Sequence, residues 1–132
     1  MYTASQKHAQ QDLFDFEQMD DIMLGVPPEL VELLGAFIQE TRRDISLMRE
    51  QFREGQQDEV LARLHKVKGI GASFGLRGFS ASAAAAESSI KKKEHLEDSV
   101  KRLKTLGQIL DRSERGLREL RPDYLPPVPG RE

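Results

Sequence analysis

His65, Lys68 and Gly69 stand at positions i, i+3 and i+4 of a stretch that reads His-Lys-Val-Lys-Gly-Ile-Gly-Ala-Ser-Phe-Gly. On a helix, residues three and four apart share a face, so this spacing sets one imidazole beside one ammonium and a position without a side chain. A metal would ask for several neutral or anionic ligands. A nucleophilic nitrogen flanked by a cation and open space suits a phosphoryl group instead. An imidazole in water has a pKa of about 6.5, so a solvent-exposed histidine is mostly neutral near pH 7 and keeps a lone pair that can attack phosphorus without a separate base. Phosphoryl transfer chiefly needs in-line positioning and charge neutralisation, and Lys68 supplies one positive charge. A magnesium site would need clustered carboxylates, and none is expected near His65.

The phase of the surrounding helix decides whether His65 reaches solvent. Val60, Leu64, Val67, Gly71 and Phe74 form one apolar stripe, and at about 100° per residue His65 falls roughly 140° from its centre. The imidazole is therefore expected to face outward, with Leu61, Lys68, Gly69 and Ala72 around it, and Leu61, Gly69 and Ala72 as the surface on which a partner docks. The wheel alone leaves open an incidental surface histidine. Gly69 argues against that: an interior helical glycine costs about 1 kcal/mol relative to alanine, and on the exposed face packing offers no compensation. Clearing room for a partner or a phosphoryl group does. Gly71 lies on the core stripe and suits close helix approach, while Gly75 and Gly78 read as the end of one helix and the turn into the next. A nucleotide-binding loop at Gly69-Ile70-Gly71 is a poor fit, because no strand precedes it and no Gly-Lys-Ser/Thr closes it.

The elements that position this helix are helical too. Leu30, Leu34, Phe37, Thr41, Ile45, Met48 and Phe52 step by threes and fours over about six turns. Pro27 and Pro28 suit that helix's first turn, and Gly55 marks its end. Phe79, Ala83, Ala86 and Ile90 give a third stripe within an alanine-rich segment of high helix propensity. Leu96, Val100, Leu103, Gly107 and Leu110, extended by Leu106, Leu117 and Leu120, give a fourth. No segment alternates with the period of a strand, and the connections are short. An all-α, antiparallel four-helix bundle is expected. Leu13, Phe14, Phe16, Met19, Ile22 and Met23 add a short N-terminal helix capping one end. The expected organisation is a flexible N-terminus over 1–10, the bundle over 11–120, and a Pro-rich flexible tail over 121–132, where the prolines forbid a helix.

Composition excludes several classes of function. The chain has 132 residues, enough for one domain. Its 20 Lys+Arg against 22 Asp+Glu give no basic excess, so nucleic acid and anionic membranes are not expected partners. Cysteine is absent, which removes disulfides, thiolate chemistry and cysteine-ligated metals, and fits a cytoplasmic location. No apolar run approaches the ~18 residues of a membrane span, and the first residues lack the apolar core of a signal peptide. His8 and His95 lie among polar residues with no converging groups. The Lys91-Lys92-Lys93 run, followed at once by acids, reads as a solvated helix end.

The pattern His65-x-x-Lys68-Gly69, with Gly75 after five further residues, resembles the signature of histidine-containing phosphotransfer (HPt) domains of phosphorelays. The likeness covers roughly residues 11 to 118, from the short N-terminal helix through the long first helix to the helix packed against the histidine-bearing one. The resemblance implies that His65 is the phosphoacceptor, that Lys68 assists the phosphoryl group, and that Gly69 keeps the docking face open. Ile70-Gly71 departs from the small hydroxyl residues that many members carry. By the same resemblance the partners are response-regulator receiver domains and a hybrid histidine kinase. The receiver brings magnesium and the aspartyl phosphate, and this chain, expected to be a monomer with no cofactor of its own, is a carrier without a complete active site. Two other readings stay open. One is a detached phosphoacceptor domain of a chemotaxis-type kinase, which also carries a His-x-x-Lys-Gly helix; the other is a non-catalytic helical adaptor.

Overall fold

A computed structural model describes residues 12–128, and the expected flexible N-terminus over 1–10 lies outside them. Among the described residues the structure is helical, with α1 (Phe16–Ile22), α2 (Pro28–Arg53), α3 (Gln57–Ser73), α4 (Arg77–Lys91) and α5 (Leu96–Leu120), followed by a 3-10 turn at Pro122–Tyr124. The four long helices pack in a closed ring, α2 on α3, α3 on α4, α4 on α5 and α5 on α2.

Local chemistry sets the helix ends. The Asp15 side chain accepts a hydrogen bond from the Gln18 amide and caps α1, satisfying one of the donors that a helix start leaves unpaired. Pro28 opens α2, where its missing N–H costs nothing. Asp58 and Glu59 lie in the first turn of α3, favourably placed against the helix dipole. Gly75, at φ +80°, turns the chain from α3 into α4, a left-handed conformation that glycine adopts without strain. Gly78 is not part of that turn. It lies inside the first turn of α4, and a Cβ there would sit 2.9 Å from the Leu13 side chain, so its role is close approach.

The apolar stripes face one core. Leu34, Phe37, Ile45, Met48 and Phe52 of α2 are buried, together with Val60, Leu64 and Val67 of α3 and Phe79, Ala83, Ala86 and Ile90 of α4. Each large side chain so buried contributes about 1.5–3 kcal/mol through area removed from water. Phe37 meets Phe74 and Phe79 at ring-centroid distances of 6.2 and 6.0 Å, the second pair edge to face. These three rings join α2 to the junction of α3 and α4. Leu96 departs from its expected place on the fourth stripe: it is the first residue of α5 and is 61 % exposed.

The C-terminal segment also departs from expectation. The sequence predicts a Pro-rich flexible tail over 121–132, yet in its described part, 121–128, Tyr124 and Leu125 are buried, Pro126 packs on Gly35 of α2, and the Arg118 guanidinium donates to the Pro126 carbonyl at 3.0 Å. Proline stops the helix, but the apolar Tyr124 and Leu125 still gain from burial. Residues 129–132 lie outside the described part of the chain.

Candidate functional site

Helix α3 turns Val60, Leu64, Val67 and Gly71 into the core, and this phase sends His65 the other way. Its imidazole is 75 % exposed. Lys68, one turn on, is half-buried, and its ammonium does not extend into solvent. It reaches across to α4 and donates to Glu87 Oε1 at 2.6 Å. The other carboxylate oxygen, Oε2, lies 3.5 Å from His65 Nδ1 and 3.6 Å from Lys91 Nζ. At 3.5 Å the histidine contact is electrostatic and too long for a strong hydrogen bond.

Glu87 is the residue that the helical stripes did not single out. A carboxylate does stand beside His65, contrary to the expectation of none, and its side chain is only 8 % exposed. The cause is its register: Glu87 follows Ala83 by four and precedes Ile90 by three on the buried face of α4. A charge on an apolar stripe needs compensation, and that position was the readable signal. The Lys68 hydrogen bond holds the Glu87 carboxyl below the usual glutamate range against the opposing effect of burial, with the charges of Lys68, Lys91 and His65 adding to the lowering. The site is thus a buried carboxylate with three basic groups ranged over it, the outermost being the exposed imidazole.

Gly69 sits next to His65 on the outer face, and a Cβ there would meet nothing within 4 Å. Gly71, on the inner face, is the opposite case: its Cβ would lie 2.9 Å from the Phe79 ring, which needs that space to bring α4 against α3. Ser80 of α4 donates to the Lys68 carbonyl at 2.9 Å, fastening the two helices at the site.

Beside Lys68 a groove runs between α3, α4 and α1. Ala72, Ala81 and Ala84 contribute apolar surface, and Asp15, Gln18, Lys68 and Arg77 supply polar groups. Of the three residues expected to form the docking surface, Ala72 lines this groove, Gly69 lies open beside His65, and Leu61 is partly buried against the core. Among the described residues no group of three or more histidine, aspartate or glutamate side chains could hold a metal ion. No helix among them is long and apolar enough to cross a membrane.

The family model for the Hpt domain matches residues 32–116, which takes in all but the first turn of the supporting helix α2, all of α3 and α4, and most of α5. The chain belongs to the Hpt domain family. Membership places it in histidine phosphotransfer within two-component signalling and implies response-regulator receiver domains as partners. No curated protein and no solved structure matches the chain.

Proposed function

We propose that this protein is the histidine phosphotransfer component of a multistep phosphorelay, accepting a phosphoryl group on His65 from a receiver-domain aspartate and passing it to another receiver. The observation that carries the reading is the exposed imidazole of His65 with its Nδ1 turned to Glu87. A carboxylate beside Nδ1 favours the tautomer with the proton on that nitrogen, leaving the Nε2 lone pair directed at solvent. Nε2 attacks phosphorus in line as the P–O bond to the receiver's aspartate breaks, and the aspartate leaves as a carboxylate. The ring then carries a phosphoryl on Nε2 and a proton on Nδ1, and Glu87 offsets its positive charge. Lys68 is within one helical turn and neutralises charge on the phosphoryl oxygens. Magnesium belongs to the receiver, which supplies a cluster of carboxylates; beside His65 this chain offers Glu87 alone among the described residues, already bonded to Lys68.

The short connections between the long helices favour an antiparallel, up-and-down order. One copy supplies His65, Lys68, Lys91 and Glu87, so the proposed chemistry needs no residue from a second copy and a monomer is the proposed working unit. Gly69 and the groove beside Lys68 leave space for the receiver to approach His65.

A timed label-transfer assay tests the reading. Mixed with a phosphorylated receiver, the wild-type chain gains label as the receiver loses it, and His65→Gln gains none while remaining folded. Labelling by an ATP-binding kinase module but by no receiver would point to the detached chemotaxis-kinase type of phosphoacceptor. Labelling by neither would leave the adaptor reading.

A further inference from the structure

Helix α1 forms one wall of the groove beside Lys68, through Asp15 and Gln18, yet it shares no extensive helix-to-helix contact with any of the four long helices. Met19 and Met23 are buried beneath it. Its polar ties run in two directions. Toward the site, the Gln18 side-chain amide donates to the Ala72 carbonyl at 2.9 Å and the Ser73 carbonyl at 3.2 Å, at the end of the histidine-bearing helix, and the Asp15 amide donates to the Gly75 carbonyl at 2.9 Å. Toward the other end of the chain, Asp20 receives three charge-assisted hydrogen bonds. Arg121 donates from Nε at 2.8 Å and from Nη2 at 2.9 Å, one to each carboxylate oxygen, and the Tyr124 hydroxyl donates at 2.6 Å. The Arg121 guanidinium also lies 4.3 Å from the centre of the Phe16 ring. A two-pronged arginine contact fixes orientation as well as distance, so α1 is held in both position and rotation.

The segment that makes this clasp is itself seated. A Cβ on Gly35 would fall 2.7 Å from Pro126 Cδ, so Pro126 occupies a notch in α2 that only glycine leaves, and Arg118 holds the Pro126 carbonyl.

We propose that residues 121–128 are a positioning strap: seated on α2 at Gly35 and clasping Asp20, they fix α1 and thereby the wall of the groove against which a receiver docks beside His65. The docking half of this inference rests on the proposed function; the clasp itself does not. The strap touches no reacting group. Its effect is on how well a partner is bound and leaves the phosphoryl chemistry unchanged, and it links the docking face to the C-terminal end of the bundle.

The test compares the full-length wild type with Arg121→Gln, Tyr124→Phe and Gly35→Ala, the last forcing Pro126 from its seat without touching the clasp. Two readouts are taken: amide hydrogen exchange along the chain, and the receiver-concentration dependence of transfer. The strap predicts exchange in α1 faster by about threefold to tenfold in Arg121→Gln and Gly35→Ala, with α3 and α4 still protected, which shows that the bundle folds. It predicts a higher receiver concentration for half-maximal transfer and an unchanged rate at saturation. Arg121→Lys, which keeps the charge but not the two-pronged contact, falls between wild type and Arg121→Gln. Unchanged α1 exchange in these variants overturns the strap. Faster α1 exchange with unchanged receiver dependence overturns its link to docking. If the wild type itself accepts nothing from any receiver, the proposed function fails, and the exchange measurement still decides the clasp.

Discussion

Lys68 is bonded to Glu87 and is proposed to serve the phosphoryl group as well, and its geometry sets what its loss costs. Off the apolar stripe, it reads in sequence as a surface lysine, whose replacement shifts stability by no more than about 0.5 kcal/mol. In the structure it is the nearest cation to a carboxylate that is 8 % exposed. Removing it leaves Glu87 with Lys91 at 3.6 Å and His65 at 3.5 Å as its remaining compensation. An uncompensated buried charge costs about 3–5 kcal/mol, and the two remaining partners reduce this. Lys68→Ala is therefore expected to lower the unfolding free energy by about 1–2 kcal/mol and to slow transfer without abolishing it. His65→Gln, at a 75 % exposed position, is expected to stay within about 0.5 kcal/mol of wild type. Denaturant unfolding of both variants beside a timed transfer assay checks the pair. Equal stabilities would mean that the contact between Lys68 and Glu87 contributes nothing to the fold.

Among the elements, α3 carries two glycines two residues apart with opposite uses. Gly69 faces open space, and Gly71 faces Phe79 at a distance that no side chain tolerates. Gly69→Gln is expected to keep or raise helix stability, by up to about 1 kcal/mol, since it replaces a helical glycine. It is also expected to obstruct the receiver, so that transfer falls while folding does not. Gly71→Ala should do the reverse, destabilising by about 1–3 kcal/mol through overpacking. Circular dichroism melts and transfer rates of the two variants separate these outcomes, and unchanged transfer in Gly69→Gln would remove Gly69 from the contact surface. The outward face of His65 was legible in sequence because helical periodicity is local: the Val60 to Phe74 stripe needs no knowledge of the neighbouring helices. Glu87 was less so. It stands among alanines on the α4 stripe, and what compensates it comes from another helix. Its partner Lys68 was in view, but the contact between them depends on how α3 and α4 pack.

Across the molecule, the first and last of the described segments meet through charge. Asp20 and Arg121 are 101 residues apart, and nothing local in either segment points to the other. The prolines after Leu120 correctly rule out more helix, but exclusion of a helix does not mean exclusion from the core, as Tyr124 and Leu125 demonstrate. Among the described residues, two carboxyls are expected to make the fold pH-dependent. Glu87 is lowered from an ordinary 4.5, first by its Lys68 hydrogen bond, and Asp20 is lowered from an ordinary 3.8, first by its Arg121 hydrogen bond. A carboxyl whose folded value lies below its unfolded one adds stability above the unfolded value and loses it as pH falls through the folded one. Unfolding free energy should thus begin to drop near the ordinary value of 4.5 for Glu87 and continue downward below that of 3.8 for Asp20. Glu87→Gln should flatten the upper part of this decline and Asp20→Asn the lower. Urea titrations across this range check it, and an undiminished slope in both variants would assign the acid sensitivity to other groups.

On the proposed function, His65 carries a phosphoryl group on Nε2, the nitrogen turned away from Glu87. Nuclear magnetic resonance of the imidazole-15N-labelled protein after incubation with a phosphorylated receiver tests this most directly. The expected result is phosphorus coupled to Nε2 of His65, in a linkage that survives mild base and is lost in acid, as a phosphoramidate is. Phosphorus on Nδ1, on another residue, or in an acid-stable linkage would contradict it.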